Sequence, residues 1–327
     1  MMSAGFGKGK IMDEDWIKSV YFIRLAITYQ AITDGYLGDW PPRKLRAVLK
    51  GVTQSISPCL RQEDMLCRKC SLKEECCFFQ LMVEDRNKDY LPYLISMNNG
   101  HDWRGPISKG SRHTFTIFLI GEKINCLEKV SAGLREKKLI FLDGITRQSV
   151  GFELLSLDLE NNGKPLDITN LLPLYTENNA KGIRKIERIS IEFVTPQSPT
   201  YNNKTITKPK DFNFRVFLSA LHKRVSGLAM GHCGFKGHIP EKSQFISSDI
   251  SVTTNIHPDF KFVRKEACKK SQNGRNKVEY IGGLKGMVSF DGDITPYFPL
   301  IVLGEELHIG NDTTQGLGKY RIIQINN

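Results

Sequence analysis

A pattern stated twice constrains this chain most: an amphipathic strand, a polar connection and an amphipathic helix, at residues 21–56 and again at 189–228. In the first copy Tyr21, Ile23, Leu25, Ile27 and Tyr29 alternate with Arg24, Ala26, Thr28 and Gln30, the two-residue period of a strand with one buried face. Turn signals follow at Asp34-Gly35, Gly38 and Pro41-Pro42. Leu45, Val48, Leu49, Val52 and Ile56 then recur at helical spacing, with Arg43, Lys44, Arg46 and Lys50 largely off that stripe. In the second copy Ile189, Ile191 and Phe193 alternate with polar residues, and a loop rich in Lys, Thr and Pro leads into the helix. There Phe214, Phe217, Leu218, Leu221, Val225 and Leu228 form one face, while Arg215, Ser219, His222 and Ser226 share another.

Further strands are expected at 113–121 and 278–290. The duplicated plan predicts an α+β protein of two tandem ferredoxin-like (RRM-like) domains, residues 1–170 and 171–327. The join falls in the Asn- and Gly-rich stretch 160–186. No signal peptide or membrane span is visible, because the first apolar run, 20–32, is interrupted by Arg24. That reading places the chain in the cytoplasm, away from membranes, where thiols stay reduced.

Charge narrows the partners. The formal net charge is +11, and residues 181–224 carry +7 of it, so this part of the second domain attracts polyanions. Lys208, Lys210, Arg215, His222 and Arg224 are the candidate phosphate contacts within it. The eight cysteines read first as metal ligands or buried thiols. Cys59, Cys67, Cys70 and Cys76 follow a C-x7-C-x2-C-x5-C spacing that suits a closed structural zinc site, with an iron-sulfur cluster as the alternative.

The segment HIGNDTTQGLGKYRI, 308–322, places Gly310, Gly316 and Gly318 between a short helix and a terminal strand. Walker and dinucleotide loops run from strand to helix, so this order argues against a nucleotide cofactor. Glycine lets backbone N–H groups approach an anion closely.

The run from IGGLKGMVSF to the final strand resembles the C-terminal end of the CRISPR repeat-processing endoribonucleases of the RAMP superfamily, glycine-rich loop included. LRAVLKGVTQSI (45–56), CRKCSLKEECCF (67–78) and residues 189–234 agree with the family in order. The resemblance implies a CRISPR repeat RNA as partner, with other effector subunits as further partners. It also implies metal-free cleavage by the substrate's own 2′-OH, and a glycine-rich loop whose Gly310, Thr313, Thr314, Gln315, Gly316, Gly318 and Lys319 hold RNA. Family members often carry a histidine near the first helix. This chain has none before His101, and Tyr29, Lys44 and Lys50 occupy that region. By residue type His232 and His308 join Lys50 and Tyr29 as catalytic candidates, the bland reading of His308 being a cationic helix cap. A non-catalytic RNA-holding subunit of the same superfamily is the runner-up, and an unrelated zinc-containing nucleic-acid-binding protein is third.

Overall fold

The computed structural model describes residues 15–37, 40–58, 67–83, 90–97, 105–143, 149–176, 185–241, 250–263 and 279–326. The first half runs α1 (Asp15–Lys18), β1 (Phe22–Ala31), β2 (Gly35–Leu37), α2 (Pro41–Ser55), α3 (Cys77–Met82), β3 (Tyr93–Met97), β4 (Gly105–Ile107), β5 (Arg112–Ile120), α4 (Leu127–Glu136), β6 (Leu139–Asp143) and β7 (Ser149–Leu159). After α5 (Ile168–Thr176) the second half runs β8 (Arg188–Gln197), β9 (Thr200–Tyr201), β10 (Lys204–Thr205), α6 (Phe214–His232), β11 (Ser251–Val263), β12 (Glu279–Asp291), α7 (Phe298–Leu307) and β13 (Tyr320–Asn326).

Both halves solve the same packing problem in the same way. The main sheets are ordered β3-β5-β1-β7, with β6 added beside β7, and β11-β12-β8-β13. Each follows its own second, third, first and fourth strand, and the pairs are antiparallel. With one helix after the first strand and one after the third, that is the β-α-β-β-α-β ferredoxin-like arrangement, twice.

Local sequence explains the elements. Ile23, Leu25, Ile27 and Tyr29 of β1 face a core shared with Leu45, Leu49 and Val52 of α2 and Val130 and Leu134 of α4. Pro41 and Pro42 open α2, where the first-turn N–H groups have no helical acceptor and proline costs nothing. Asn213 caps α6, its side-chain oxygen accepting from Val216 N at 3.0 Å.

The two cores meet. Trp16, Ile17, Val20, Phe22, Leu94, Phe118 and Ile120, all from the first half, belong to one buried cluster with the second-domain core. Each large side chain buried there contributes about 1.5–3 kcal/mol. Ile168 and Leu171 of α5 join the same cluster. Residue 170, where the sequence reading ends its first domain, falls inside α5, whose Ile168 and Leu171 pack in this shared cluster.

Candidate functional site

The site grows from the end of α7. His308 leaves the helix at φ 59° and ψ 167°, a region that side chains avoid. The chain then returns through the glycine-rich segment into β13. At Gly318 (φ +77°) a Cβ would stand 1.7 Å from Ile309 O, so only glycine fits.

The loop is not the open anion cradle that its glycines suggest. Ile309 N donates to Gly318 O, Gly318 N to Pro196 O, Gln315 N to Asp312 O, and Gly316 N to Thr313 O. Lys319 N donates to Thr195 Oγ1. Thr313, Gly316 and Gly318 are buried, and Gly310, Thr314 and Gln315 are half-buried. The amides of Gln315, Gly316, Gly318 and Lys319 are therefore already engaged within the protein and are not the phosphate-holding donors expected of the loop. The segment is instead a wedge between domains. Trp40 Nε1 donates to Gln315 O at 2.5 Å, and Lys319 Nζ donates to Ser96 Oγ and Met97 O, both at 3.0 Å.

Beneath the wedge lies a cavity of about 220 Å³ between the open face of the first sheet and the α7–β13 corner. Arg24, Ser96, Thr116 and Phe118 line it from the first domain, with Glu160 beyond β7. Glu305, Glu306, His308, Lys319, Tyr320 and Arg321 line it from the second. His308 Nδ1 lies 3.1 Å from Leu317 O. A carbonyl only accepts, so Nδ1 carries the proton and the neutral ring keeps its lone pair on Nε2. Burial, then the charges of Lys319 and Arg224, hold the His308 pKa well below the usual histidine range, outweighing the Leu317 bond. The buried His308 ring is therefore neutral rather than a cationic cap.

Its neighbours are charged. Arg24 donates to Glu160 at 3.1 Å and Glu306 at 2.5 Å, with its guanidinium 5.7 and 5.6 Å from the Phe22 and Phe118 ring centres. Burial pushes Glu305 up to about 7, against hydrogen bonds from Tyr175 Oη (2.5 Å) and Ile322 N (3.1 Å). Burial likewise lowers the Lys319 pKa, opposed by Glu306.

The other candidates scatter. Tyr29 is fully buried, stacked on Phe115 at 6.2 Å, and burial raises its hydroxyl to about 12; this core position corrects its catalytic assignment. His232 is buried, with Nε2 donating to Tyr90 O at 2.7 Å, so that nitrogen is committed to the fold. His222 donates from Nε2 to Pro240 O at 3.0 Å and packs on Trp16. Arg224 is 1% exposed, donates from Nε to Leu307 O at 3.2 Å and lies 5.0 Å from the Tyr90 ring centre. Neither His222 nor Arg224 faces RNA as expected, because the first domain covers that side of α6. Lys208, Lys210 and Arg215 are exposed, as phosphate contacts need to be. Lys50 is exposed too, its Nζ 5.8 Å from the Phe78 ring centre and outside the cavity lining.

Of the cysteines, Cys67 and Cys76 are buried together with Phe78 and Val83, and Cys70 N closes a turn onto Cys67 O. Cys77 is buried with Cys126 in the first-domain core. Cys59 lies outside the described residues, and among those described no three His, Cys, Asp or Glu side chains gather as a metal-holding group.

Sequence reasoning missed Arg24, Ser96, Glu160, Glu305 and Glu306. Two signals were present: Arg24 interrupts an apolar strand, and the Glu305-Glu306 pair ends a helix where the backbone dipole disfavours acids.

Two ferredoxin-like domains in tandem, with a glycine-rich wedge between them, define the class of protein to which this fold belongs. Residues 20–187 match the AF_1859 N-terminal domain model, and residues 191–320 match the model of the CRISPR-associated endoribonuclease Cas6. The chain belongs to the AF_1859 family through its first half, and its second half is similar to the Cas6 endoribonuclease domain. Among solved structures, a partial Cas6-RT-Cas1–Cas2 complex is similar at TM-score 0.56 and 12% identity, over 97% of this chain and 47% of that one. The chain thus spans about half the length of that relative. A Cas6 product complex matches at TM-score 0.53 and 14% identity, over 92% of this chain and 100% of the other. Thermus thermophilus Cas6 matches at 0.50 and 12%, over 93% and 99%. These likenesses carry the fold. Among curated proteins no sequence matches, and among the described residues no helix is long and apolar enough to cross a membrane.

Proposed function

We propose that this protein is a metal-independent endoribonuclease that binds CRISPR repeat RNA and cuts it once by 2′-OH attack, releasing guide RNA. The supporting observation is a neutral His308, its Nε2 free of protein hydrogen bonds among the described residues, lining one cavity with Lys319. Drug-sized pockets span about 300–1,000 Å³, so a cavity of about 220 Å³ suits a scissile ribose-phosphate, not a whole nucleotide. Nε2 takes the 2′-OH proton as the oxygen attacks phosphorus in line. Lys319 faces the extra charge of the phosphorane and returns a proton to the departing 5′ oxygen, a step eased by its lowered pKa. The products are a 2′,3′-cyclic phosphate and a 5′-OH. Exposed Lys208, Lys210 and Arg215 hold the flanking phosphates.

The partners that go with this reading are repeat RNA and other CRISPR subunits; the similarity to a Cas6 product complex and a Cas6-RT-Cas1–Cas2 complex supports it. A structural zinc, or an iron-sulfur cluster, at Cys59, Cys67, Cys70 and Cys76 belongs to the same reading, supported by the Cys67–Cys70 turn. Metal analysis of the purified protein tests it: about one bound zinc is expected, and a metal-free, fully folded protein rejects it. The burial of Tyr29, His222 and His232 favours a second reading, a non-catalytic RNA-holding subunit.

One experiment separates the two. The protein is incubated with repeat RNA of its own locus in excess EDTA, and product ends are mapped for wild type and His308→Ala. A single cut with a cyclic phosphate, lost in the variant while RNA affinity persists, is the expected result. Tight binding without a cut selects the RNA-holding subunit, and a cut unchanged in His308→Ala removes His308 from the mechanism.

A further inference from the structure

Arg224 is a fully buried cation that the mechanism leaves unused, and its surroundings are unusual. It is 1% exposed and, among the described residues, has no ion-pair partner. A buried, unpaired charge is costly, so the fold must spend it on something. Its contacts are the last carbonyl of α7, Leu307 O at 3.2 Å, and the Tyr90 ring. The C-terminal end of a helix carries partial negative charge, which a guanidinium satisfies.

We infer that Arg224 is a positioning residue for His308: by gripping Leu307 O from α6 it fixes how the His308 ring enters the interdomain cavity. The inference rests on the proposed role of His308 as proton acceptor. The geometry is a clamp on both sides of one residue. Arg224 holds the carbonyl immediately before His308, and Ile309 N, immediately after it, donates to Gly318 O. Between these grips His308 takes its positive φ, and the ring makes its one hydrogen bond through Nδ1 to Leu317 O. Without the Arg224 grip the end of α7 is free to fray, and the ring loses its single tautomer.

The test uses the full chain with Arg224→Gln, Arg224→Lys and His308→Ala. Charged and titratable groups around the ring are Lys319, Tyr320 and Arg321 from β13, Glu305 and Glu306 from α7, Arg24 from β1, Glu160 and Arg224 itself. Arg224→Gln removes one cation, so the acid limb of the pH–rate profile moves to higher pH. It also cuts roughly 10- to 100-fold more slowly through misplacement of the ring, with RNA affinity unchanged. Arg224→Lys keeps the charge but not the planar fork: its acid limb stays with wild type while its rate falls. Nitrogen-15 NMR of the histidine rings, with His308 assigned by its absence in His308→Ala, should show one neutral tautomer in wild type and a mixture in both Arg224 variants.

A folded Arg224→Gln with wild-type tautomer and acid limb overturns the inference, even if its rate falls, because that outcome is a purely structural loss. Should Arg224→Gln fail to fold, Arg224→Lys decides alone, and wild-type rate and tautomer there overturn it. If His308→Ala cuts normally, the catalytic role of His308 is lost, while the NMR spectra still report whether Arg224 sets the ring.

Discussion

Helices α2 and α6 hold the same place in the two repeats, yet their polar residues meet different fates. In α2 the apolar stripe packs on its own sheet, Lys50 is exposed and Arg43, Lys44 and Arg46 are half-exposed. Arg46 reaches only as far as Tyr93 Oη, at 3.0 Å. In α6 the apolar stripe is equally buried, but Trp16 and Tyr90 of the first half cover its back, enclosing His222, Arg224 and His232. The lesson is that a polar face identifies a solvent face only if no second domain lies against it.

Removing the cover is the strongest way to break this comparison. Trp16→Ala should cost about 3–5 kcal/mol, the usual range for emptying a buried aromatic site, read as a large drop in the denaturant midpoint. A drop under about 1 kcal/mol, the scale of a surface change, would mean that α6 is not held by α1. Next comes the polar half of the same seam. Arg24→Ala leaves Glu306 without its partner and should cost about 1–3 kcal/mol, reduced from the buried-pair range because Arg24 is 21% exposed. An unchanged melting temperature would show the bridge to be incidental.

Acidity probes the same seam more gently. Glu305 has its folded pKa raised to about 7 by burial, so the folded state holds its proton where the unfolded carboxyl has already lost it. Stability from this group is therefore greatest below the unfolded pKa and is lost as pH rises through 7. Glu305→Gln should flatten the decline in stability between pH 5 and pH 8, and an equally steep decline in the variant would assign it to other groups. The smallest effects belong to exposed cations. Lys208→Ala and Lys210→Ala should leave stability within about 0.5 kcal/mol of wild type. Each should lower the salt slope of single-stranded RNA binding by about 0.7; unchanged slopes would place the RNA elsewhere.

Much of the fold was legible in the chain because periodicity is local. The two-residue alternation of 21–29 and the helical spacing of 214–228 became β1 and α6. The duplication of the strand-helix unit carried the two ferredoxin-like domains, since each half had to bury one sheet face under its own helices. The cavity was far less legible. His308 and Lys319 drew attention as residues near glycines, but their partners Arg24, Ser96, Glu160, Glu305 and Glu306 lie far from the loop in sequence or on an apolar helix.

What the sequence by itself determined is the set of elements, their amphipathic faces and the excess of positive charge, all properties of short windows or of simple counts. Only the tertiary structure decided which polar faces meet water. Docking one sheet's open face against the other domain turned Arg224 and His222 from surface residues into buried ones. It also turned a glycine-rich loop into a wedge, and it left His308 neutral by taking water away from it and setting the cations Lys319 and Arg224 beside it. Desolvation depends on what lies across the seam, and no local pattern records that.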